Sequence, residues 1–469
     1  LKADNQIKCL LGLVQRGLQG GDLPNVVKIL NRFPLLLELL SKVPIPDLEL
    51  EQAIKSIRSA FLLNFSDRTQ PKDFLKVLTA IALQCFTNEY IYGFDPKDGE
   101  ALYRLEEKIK LALKGGSQPK PEHILLFCSY KPLFEQDWAG LLTSQPAIET
   151  LLRHQLRDPR EEKKLKQSIP TIGQINQRIS VAVREQYEAS PYPRWIDLDL
   201  SPEPLTIKNL VTNLKLNLVD ERITNNSTPK ILVAGCGTGQ HPIATASRFS
   251  NCEVTAIDLS LSSLAYAKRK STELGFKNIE FIHGDILNLS ILNRKYDIIE
   301  CSGVLHHMQD PFLGWQALTE SLCDGGLMNI GLYSELARRE ITEIREKFAR
   351  SEEKLSKRSL LDRRKRIIDS SLRACQNITR SHDFYSTSNL RDLIFHTHEV
   401  GFTIAKIKAY IARLNLNFCG LELPIDIVDS FSKAHVNELS SLDFWDFYER
   451  DNPDSFSRMY QFWYQKKQA

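Results

Sequence analysis

Cysteine pairs at disulfide or metal spacing are missing from this chain. Its nine cysteines are odd in number, widely scattered, and include no C-x-x-C pair. That pattern excludes a disulfide framework and a zinc ribbon, and a reducing cytoplasm is the expected setting. Long apolar runs are missing too. CLLGLV near the start and FPLLLELL at 33–40 fall well short of the roughly 18–20 residues needed to cross a bilayer. No basic segment with a small-residue cleavage site precedes them, so no membrane partner is expected. Neither sign of charge dominates: 61 Lys and Arg face 58 Asp and Glu, a formal net charge of +3. That balance gives no case for nucleic acid by itself. Leu1 in place of an initiating methionine reads as a sign of trimming upstream.

What is present supports a large core. The chain has 469 residues, 42% hydrophobic and 25% charged, so two domains or one heavily decorated domain are expected. Residues 1–175 read as helical. LPNVVKILNRFPLLLELL, LELEQAIKSIRSAFLLNF and KDFLKVLTAIALQCFTNEYIY carry apolar residues at three- and four-residue spacing. Asp73 or Pro71 suits a helix start, and GFDPKDGE is a turn before the helix ALYRLEEKIKLALKGG. No fixed repeat period stands out. The charged stretch RDPREEKKLKQ, 157–167, suits a linker or a helix surface.

From about residue 176 the pattern changes. INQRISVAVREQYEASPYPRW reads as a helix ending in an aromatic, proline-punctuated loop. Strands and helices then alternate, as in a doubly wound α/β sheet. CEVTAIDLS, NIEFIHGDIL, YDIIECSGVLHH and GLMNIGLYS read as strands, with SSLAYAKRKSTELG and PFLGWQALTESLCDGG as helices. A charged helical insertion follows, about 335–400, and it includes the helix SNLRDLIFHTHEV. NFCGLEL and RMYQFWYQKK supply the last strands.

ILVAGCGTGQ, 231–240, carries the most chemistry. A buried apolar strand runs into a glycine turn and then a helix start, a site for a nucleotide-bearing ligand. The dinucleotide fingerprint needs G-x-G-x-x-G. Here Gly235, Gly237 and Gly239 make G-x-G-x-G, and Gln240 stands where the last glycine would fall. A nicotinamide-dependent oxidoreductase is therefore disfavoured. The motif resembles the first motif of the class I S-adenosylmethionine-dependent methyltransferases, D/E-x-G-x-G-x-G, with Val233 in the acidic position. The likeness covers about 178–334 closely and 400–469 by pattern.

The resemblance implies a seven-stranded sheet with the last strand antiparallel, and S-adenosyl-L-methionine as cofactor. It implies cofactor contacts from Gly235, Cys236, Gly237, Thr238 and Gly239. Asp258 follows nineteen positions after Gly239 and can accept hydrogen bonds from ribose hydroxyls, with Leu259 beside it. The same Asp can instead cap the next helix. Asp285 and Ile286 would meet the adenine, or Asp285 makes a local turn. Cys301, with Ser302 and Gly303, falls where the sulfonium end should lie.

On the acceptor side, His306 and His307 resemble the V-L-H-H pattern of many small-molecule and lipid-quinone methyltransferases, and sequence does not rank them. They read as proton acceptor or acceptor clamp, or as a strand-end pair bonding backbone. Tyr187, Tyr192, Arg194 and Trp195 suit a lid, and Tyr333 its rim. The run 357–380 has eight Lys or Arg against two Asp. It reads as a solvated helix face near Glu340, Glu343, Glu346, Glu352 and Glu353, or as a surface steering an acidic substrate. His382, His396, His398 and His435 are too dispersed to argue for a metal. The expectation is a methyltransferase with a helical N-terminal domain, its acceptor preferably a protein or peptide side chain. The rivals are an inactive scaffold of the same fold and a small-molecule or RNA methyltransferase.

Overall fold

The computed structural model describes residues 2–64, 73–200, 203–349, 355–423, 438 and 440–468. Pro71, Glu352, Glu353 and His435 lie outside them. The chain forms two compact units.

The first unit comprises Leu1–Glu161, Arg194–Asp197 and Ile344–Phe395. Its helices start where the sequence offers starts. Asp47 accepts from the Leu50 N–H (2.7 Å) at the head of Leu48–Leu63, a side-chain cap for an otherwise orphan donor. Pro34, Pro96 and Pro121 each occupy a first helical turn, where their missing N–H costs nothing. Asp73 does stand at the head of Phe74–Thr87, but in a left-handed conformation and without a side-chain cap. Val77, Leu78, Ile81 and Ala82 of that helix are fully buried.

Part of the charged insertion folds with these helices. Arg364 of helix Lys357–Ile368 makes two hydrogen bonds, 2.8 and 2.7 Å, to the Glu51 carboxylate of Leu48–Leu63. Both side chains are buried. The basic run is therefore not uniformly solvated: Leu360, Arg364 and Ile367 make an inner face, while Arg358, Lys365 and Arg366 are exposed. The segment boundaries at 161 and 344–395 differ from those the composition suggests, because the insertion's buried Arg has its partner in the first unit.

The second unit comprises Glu162–Pro193, Leu198–Glu343 and His396–Ala469. It holds one sheet of seven strands: β1 Lys230–Ala234, β2 Glu253–Asp258, β3 Ile279–His283, β4 Tyr296–Ser302, β5 Leu322–Leu332, β6 Leu416–Leu421 and β7 Tyr460–Lys466. Their order is β3-β2-β1-β4-β5-β7-β6. β7 runs antiparallel between β5 and β6, and the other pairs are parallel. The expected seven-stranded sheet with its last strand antiparallel is present.

β1 shows why its residues form a central strand. Leu232 and Ala234 join the core on one face, with Ile257, Ile299 and Trp315. Ile231 and Val233 join the core on the other, with Val254, Leu264 and Ile298. A period of two with both faces covered yields a continuous apolar run. One expectation needs correction. The helix Pro311–Ser321 stops before LCDGG, which instead opens β5. Leu322 pairs with Tyr296 across a register shift, and Gly325 (φ +75°) supplies the bend that a bulge requires.

Replacing Arg364 by Ala leaves a buried Glu51 uncompensated. R364A is expected to lose about 3–5 kcal/mol in denaturant unfolding, and the E51L/R364M pair to regain most of it. An unchanged midpoint in R364A would refute a structural role for the pair.

Candidate cofactor and acceptor site

The glycine turn follows β1 with three left-handed residues: Gly235 (φ +70°), Gly237 (+52°) and Gly239 (+93°). Each is also pressed from outside. An added Cβ would collide with a Val304 methyl at Gly235, and would lie 2.7 Å from the Tyr192 carbonyl oxygen at Gly237 and 2.6 Å from Ala267 Cβ at Gly239. Only glycine satisfies both the torsions and the space. Ile257 O accepts the Gly235 and Cys236 N–H groups (2.8 and 3.0 Å), so the turn is tied to β2. Burial pushes the Cys236 thiol up, leaving it an apolar filler rather than a nucleophile.

Asp258 ends β2 and accepts from two backbone amides, Gly237 N–H through Oδ2 and Ser260 N–H through Oδ1, both at 2.8 Å. Helix Leu261–Glu273 is capped by Ser260, whose side chain accepts from Ser263 N–H. Asp258 therefore links turn and helix cap. An ionised carboxylate has about four acceptor sites, so these amides leave room for a further donor. Burial pushes its carboxyl up to about 6, against the pull of those amide bonds. Asp285 is buried and accepts from Leu287 N–H (3.0 Å), heading a short 3-10 turn that begins at the buried Ile286. Leu259 is half-buried, and its carbonyl faces His283 Nε2 at 3.1 Å.

Two carboxylates that sequence did not single out hold this corner together. Glu188, in the helix Arg178–Ala189, accepts from Ser260 Oγ (2.8 Å), Ser262 N–H (2.7 Å) and Lys166 Nζ (3.0 Å). The loop after it lies on the glycine turn: Tyr192 O abuts Gly237, and Thr238 Oγ1 donates to Pro193 O. Glu300 of β4 is buried and paired with Arg248, His241 (2.9 Å) and Thr245, all on the helix Gln240–Arg248 that leaves the turn. Glu300 stands opposite Val233 in the β1–β4 register. The acid missing at 233 is thus matched by a carboxylate one strand over.

Not every expected residue reaches this corner. Cys301 is a correction: it is fully buried in the apolar core with Ile299, Leu232 and Ile330, so its thiol serves packing. Strand alternation leaves the neighbouring Ser302 half-buried at that strand end. Arg194 and the buried Trp195 fold with the first unit, where Arg194 lies 3.6 Å from Glu89 and over the Phe86 ring. Tyr187 and Tyr192 stay with the second unit, ring centroids 6.5 Å apart.

At the ends of β4 and β5 the aromatic rings form a column. Arg338, paired with Glu399 (2.9 Å), lies 3.6 Å over Tyr333. Tyr333 stacks on His306 (4.0 Å), His306 meets His307 edge-on (4.3 Å), and His307 stacks on His396 (3.6 Å). Tyr187 closes it, Oη 3.2 Å from His396 Nε2. Sequence separation hid His396 and Arg338; no local motif marks either.

Residues 231–326 match the family model described as a methyltransferase domain. An uncharacterized protein of Synechococcus sp. is 32% identical over 201 residues, 41% of this chain and 48% of that protein. The ubiquinone biosynthesis O-methyltransferase of Yersinia pestis is 28% identical over 134 residues, 28% of this chain and 53% of that enzyme. The chain spans about half the length of the curated relatives it matches. Among solved structures, PKMT2 from Rickettsia typhi in complex with AdoHcy covers 60% of this chain and 55% of its own, at 18% identity and a TM-score of 0.43. The magnesium protoporphyrin IX methyltransferase of Synechocystis with bound SAM covers 63% and 86%, at 12% identity and a TM-score of 0.30.

Burial opposes ionisation of Glu300, but Arg248 and His241 more than reverse that and hold its pKa at about 2, below the ordinary 4.5. A depressed folded-state pKa gives stability that is full above about pH 4.5 and lost as pH falls toward 2. E300Q is therefore expected to cost up to about 3 kcal/mol at pH 7 and to flatten the acid limb. Urea unfolding at pH 7 and pH 3 reads both, and equal acid sensitivity in the two proteins would contradict the assignment.

Proposed function

We propose that the chain is an S-adenosylmethionine-dependent methyltransferase. The observation that carries this is the glycine turn: a cradle that any Cβ would fill, with Asp258 hydrogen-bonded to its central amide. Bound S-adenosylmethionine supplies an activated methyl group to an acceptor nucleophile, so the protein's task is alignment and exclusion of water. Gly235–Gly239 let the backbone approach the ligand, Asp258 accepts ribose hydroxyls through its remaining lone pairs, and Asp285 with Ile286 faces the adenine. The Tyr187–Pro193 segment covers the turn. With Val233 sealed in the core, the methionine end is held by groups other than a β1 acid.

The acceptor is proposed to be a protein or peptide side chain, presented near His306 and His307. The large helical unit accompanying the methyltransferase domain supports a bulky acceptor over a free metabolite. Incubating the protein with methyl-labelled cofactor and a cell extract tests this. Label in a protease-sensitive band is expected. Label in small molecules or in ribonuclease-sensitive material would overturn the acceptor class, and no label at all would favour a scaffold that binds without transferring.

Titration calorimetry with S-adenosylhomocysteine tests the cofactor assignment directly. D258A should bind at least about tenfold more weakly, since a hydrogen bond to a charged group is worth roughly 1.5–3 kcal/mol. Only the ionised carboxylate accepts from both ribose hydroxyls. With the Asp258 pKa raised to about 6, affinity should fall as pH drops below 6, and D258A should lose that dependence. Undiminished binding by D258A would remove Asp258 from the site.

A further inference from the structure

Four histidines gather in the second unit, and backbone groups fix which nitrogen of each carries the proton. A peptide N–H can only donate and a carbonyl can only accept. His306 Nδ1 accepts the Tyr333 N–H at 3.4 Å, so its proton sits on Nε2. His307 Nδ1 faces the His398 carbonyl at 2.8 Å, so that ring carries its proton on Nδ1. The adjacent rings are therefore opposite tautomers. His396 resembles His306: Nδ1 accepts the His398 N–H (3.1 Å), and Nε2–H reaches Tyr187 Oη. His398 donates Nε2–H to the Met308 carbonyl at 3.1 Å.

His306 differs from the others in one respect. Its ring is 0% exposed, and among the described residues its Nε2 meets no hydrogen-bond partner. A buried N–H left unmade is costly, and this one stands just past β4, at the strand ends where open α/β sheets bind ligands. The ring is held on several sides. Tyr333 stacks on it, His307 meets its edge, and its backbone carbonyl accepts the Val400 N–H at 2.8 Å. The titratable and charged groups around it are His307 on its own turn, Tyr333 and Arg338 after β5, and His396. Burial, then these neighbours, hold its pKa well below the ordinary value. The ring is neutral at physiological pH.

We propose that His306 presents Nε2–H as a fixed hydrogen-bond donor to an oxygen of the acceptor, with Tyr333 and Arg338 as its positioning residues. The inference rests on the methyl-transfer reading and narrows its substrate class. A neutral N–H recognises a lone pair, so it selects an acceptor with a hydroxyl, carboxylate or carbonyl oxygen at the reacting end. An ammonium group has no lone pair to offer it, and a neutral amine needs its single lone pair for the new bond to methyl, whereas an oxygen keeps a second one for the N–H. His307 cannot substitute, because its Nδ1–H is already spent on His398 O.

Histidine-selective ¹⁵N labelling of the full chain, with H306Q to assign the resonances, reads the donor state without any activity. The expected result is an Nε2–H tautomer that stays neutral from pH 5.5 to 8. R338Q, which removes the nearby cation, should let the ring titrate at a higher pH than in the parent, while R338K keeps it neutral. A His306 with its proton on Nδ1, or one titrating near 6.5 in the parent, overturns the proposal.

The second arm is methyl incorporation from labelled cofactor into extract. H306F should fall by about 10²–10³-fold, as when one oriented donor is removed, and H306Q, which keeps an N–H, should recover part of the loss. Both should bind S-adenosylhomocysteine as the parent does. Parent-like labelling by H306F overturns the donor role. If the parent itself transfers no label, the methyl-transfer reading fails, and the substrate role of His306 fails with it, whatever the tautomer shows.

Discussion

The site depends on a stretch of backbone that no side chain can follow. Gly235, Gly237 and Gly239 take left-handed torsions within five residues. Three separate segments close on them: Val304 after β4, Tyr192 in the covering loop, and Ala267 in helix Leu261–Glu273. Each contact lies closer than a Cβ would allow. The turn is consequently a fixed point against which loop, helix and strand ends are set, and a substitution there would disturb all three at once.

Carboxylates do the remaining fastening, with opposite electrostatic outcomes. Glu300 sits under the helix that leaves the turn and gathers Arg248 and His241, which keep it ionised far into acid. Asp258 has only backbone amides as partners and lies near Glu188, so burial raises it toward neutrality. For Glu188 itself burial works upward, but the Ser262 amide, Lys166 and Ser260 outweigh it and lower the value. One acid is built for permanence. The other remains responsive to a ligand that brings donors, as a ribose does.

Local pattern served well wherever neighbours in sequence are also neighbours in space. The glycine turn, Asp258 at the end of β2 and the buried run of β1 were all legible, because a strand, a turn and a helix cap each fall within a few residues. The opening of β5 was not, since LCDGG continues a helical spacing and only its pairing with Tyr296 makes it strand. Cys301 shows the limit of reasoning by strand end alone: one step along a strand turns a side chain from the rim into the core. Glu188, Glu300, His396 and Arg338 gave no local signal, because each has a partner far off in sequence: Ser260 lies 72 positions from Glu188, Arg248 52 from Glu300, Tyr187 209 from His396 and Glu399 61 from Arg338.

By itself the sequence determined that a strand and a G-x-G-x-G turn would form a nucleotide-type cradle in an α/β sheet, because glycine torsions and period-two burial are properties of short segments. Tertiary structure decided the rest. It placed Glu300 beside Val233, gave Arg364 its counter-ion in Glu51, and assigned Arg194 to Glu89. It also gave His306 and His307 opposite protons, through a carbonyl and an amide contributed by distant residues. A histidine's tautomer is set by whichever backbone group faces it, and that is known only once the chain has folded.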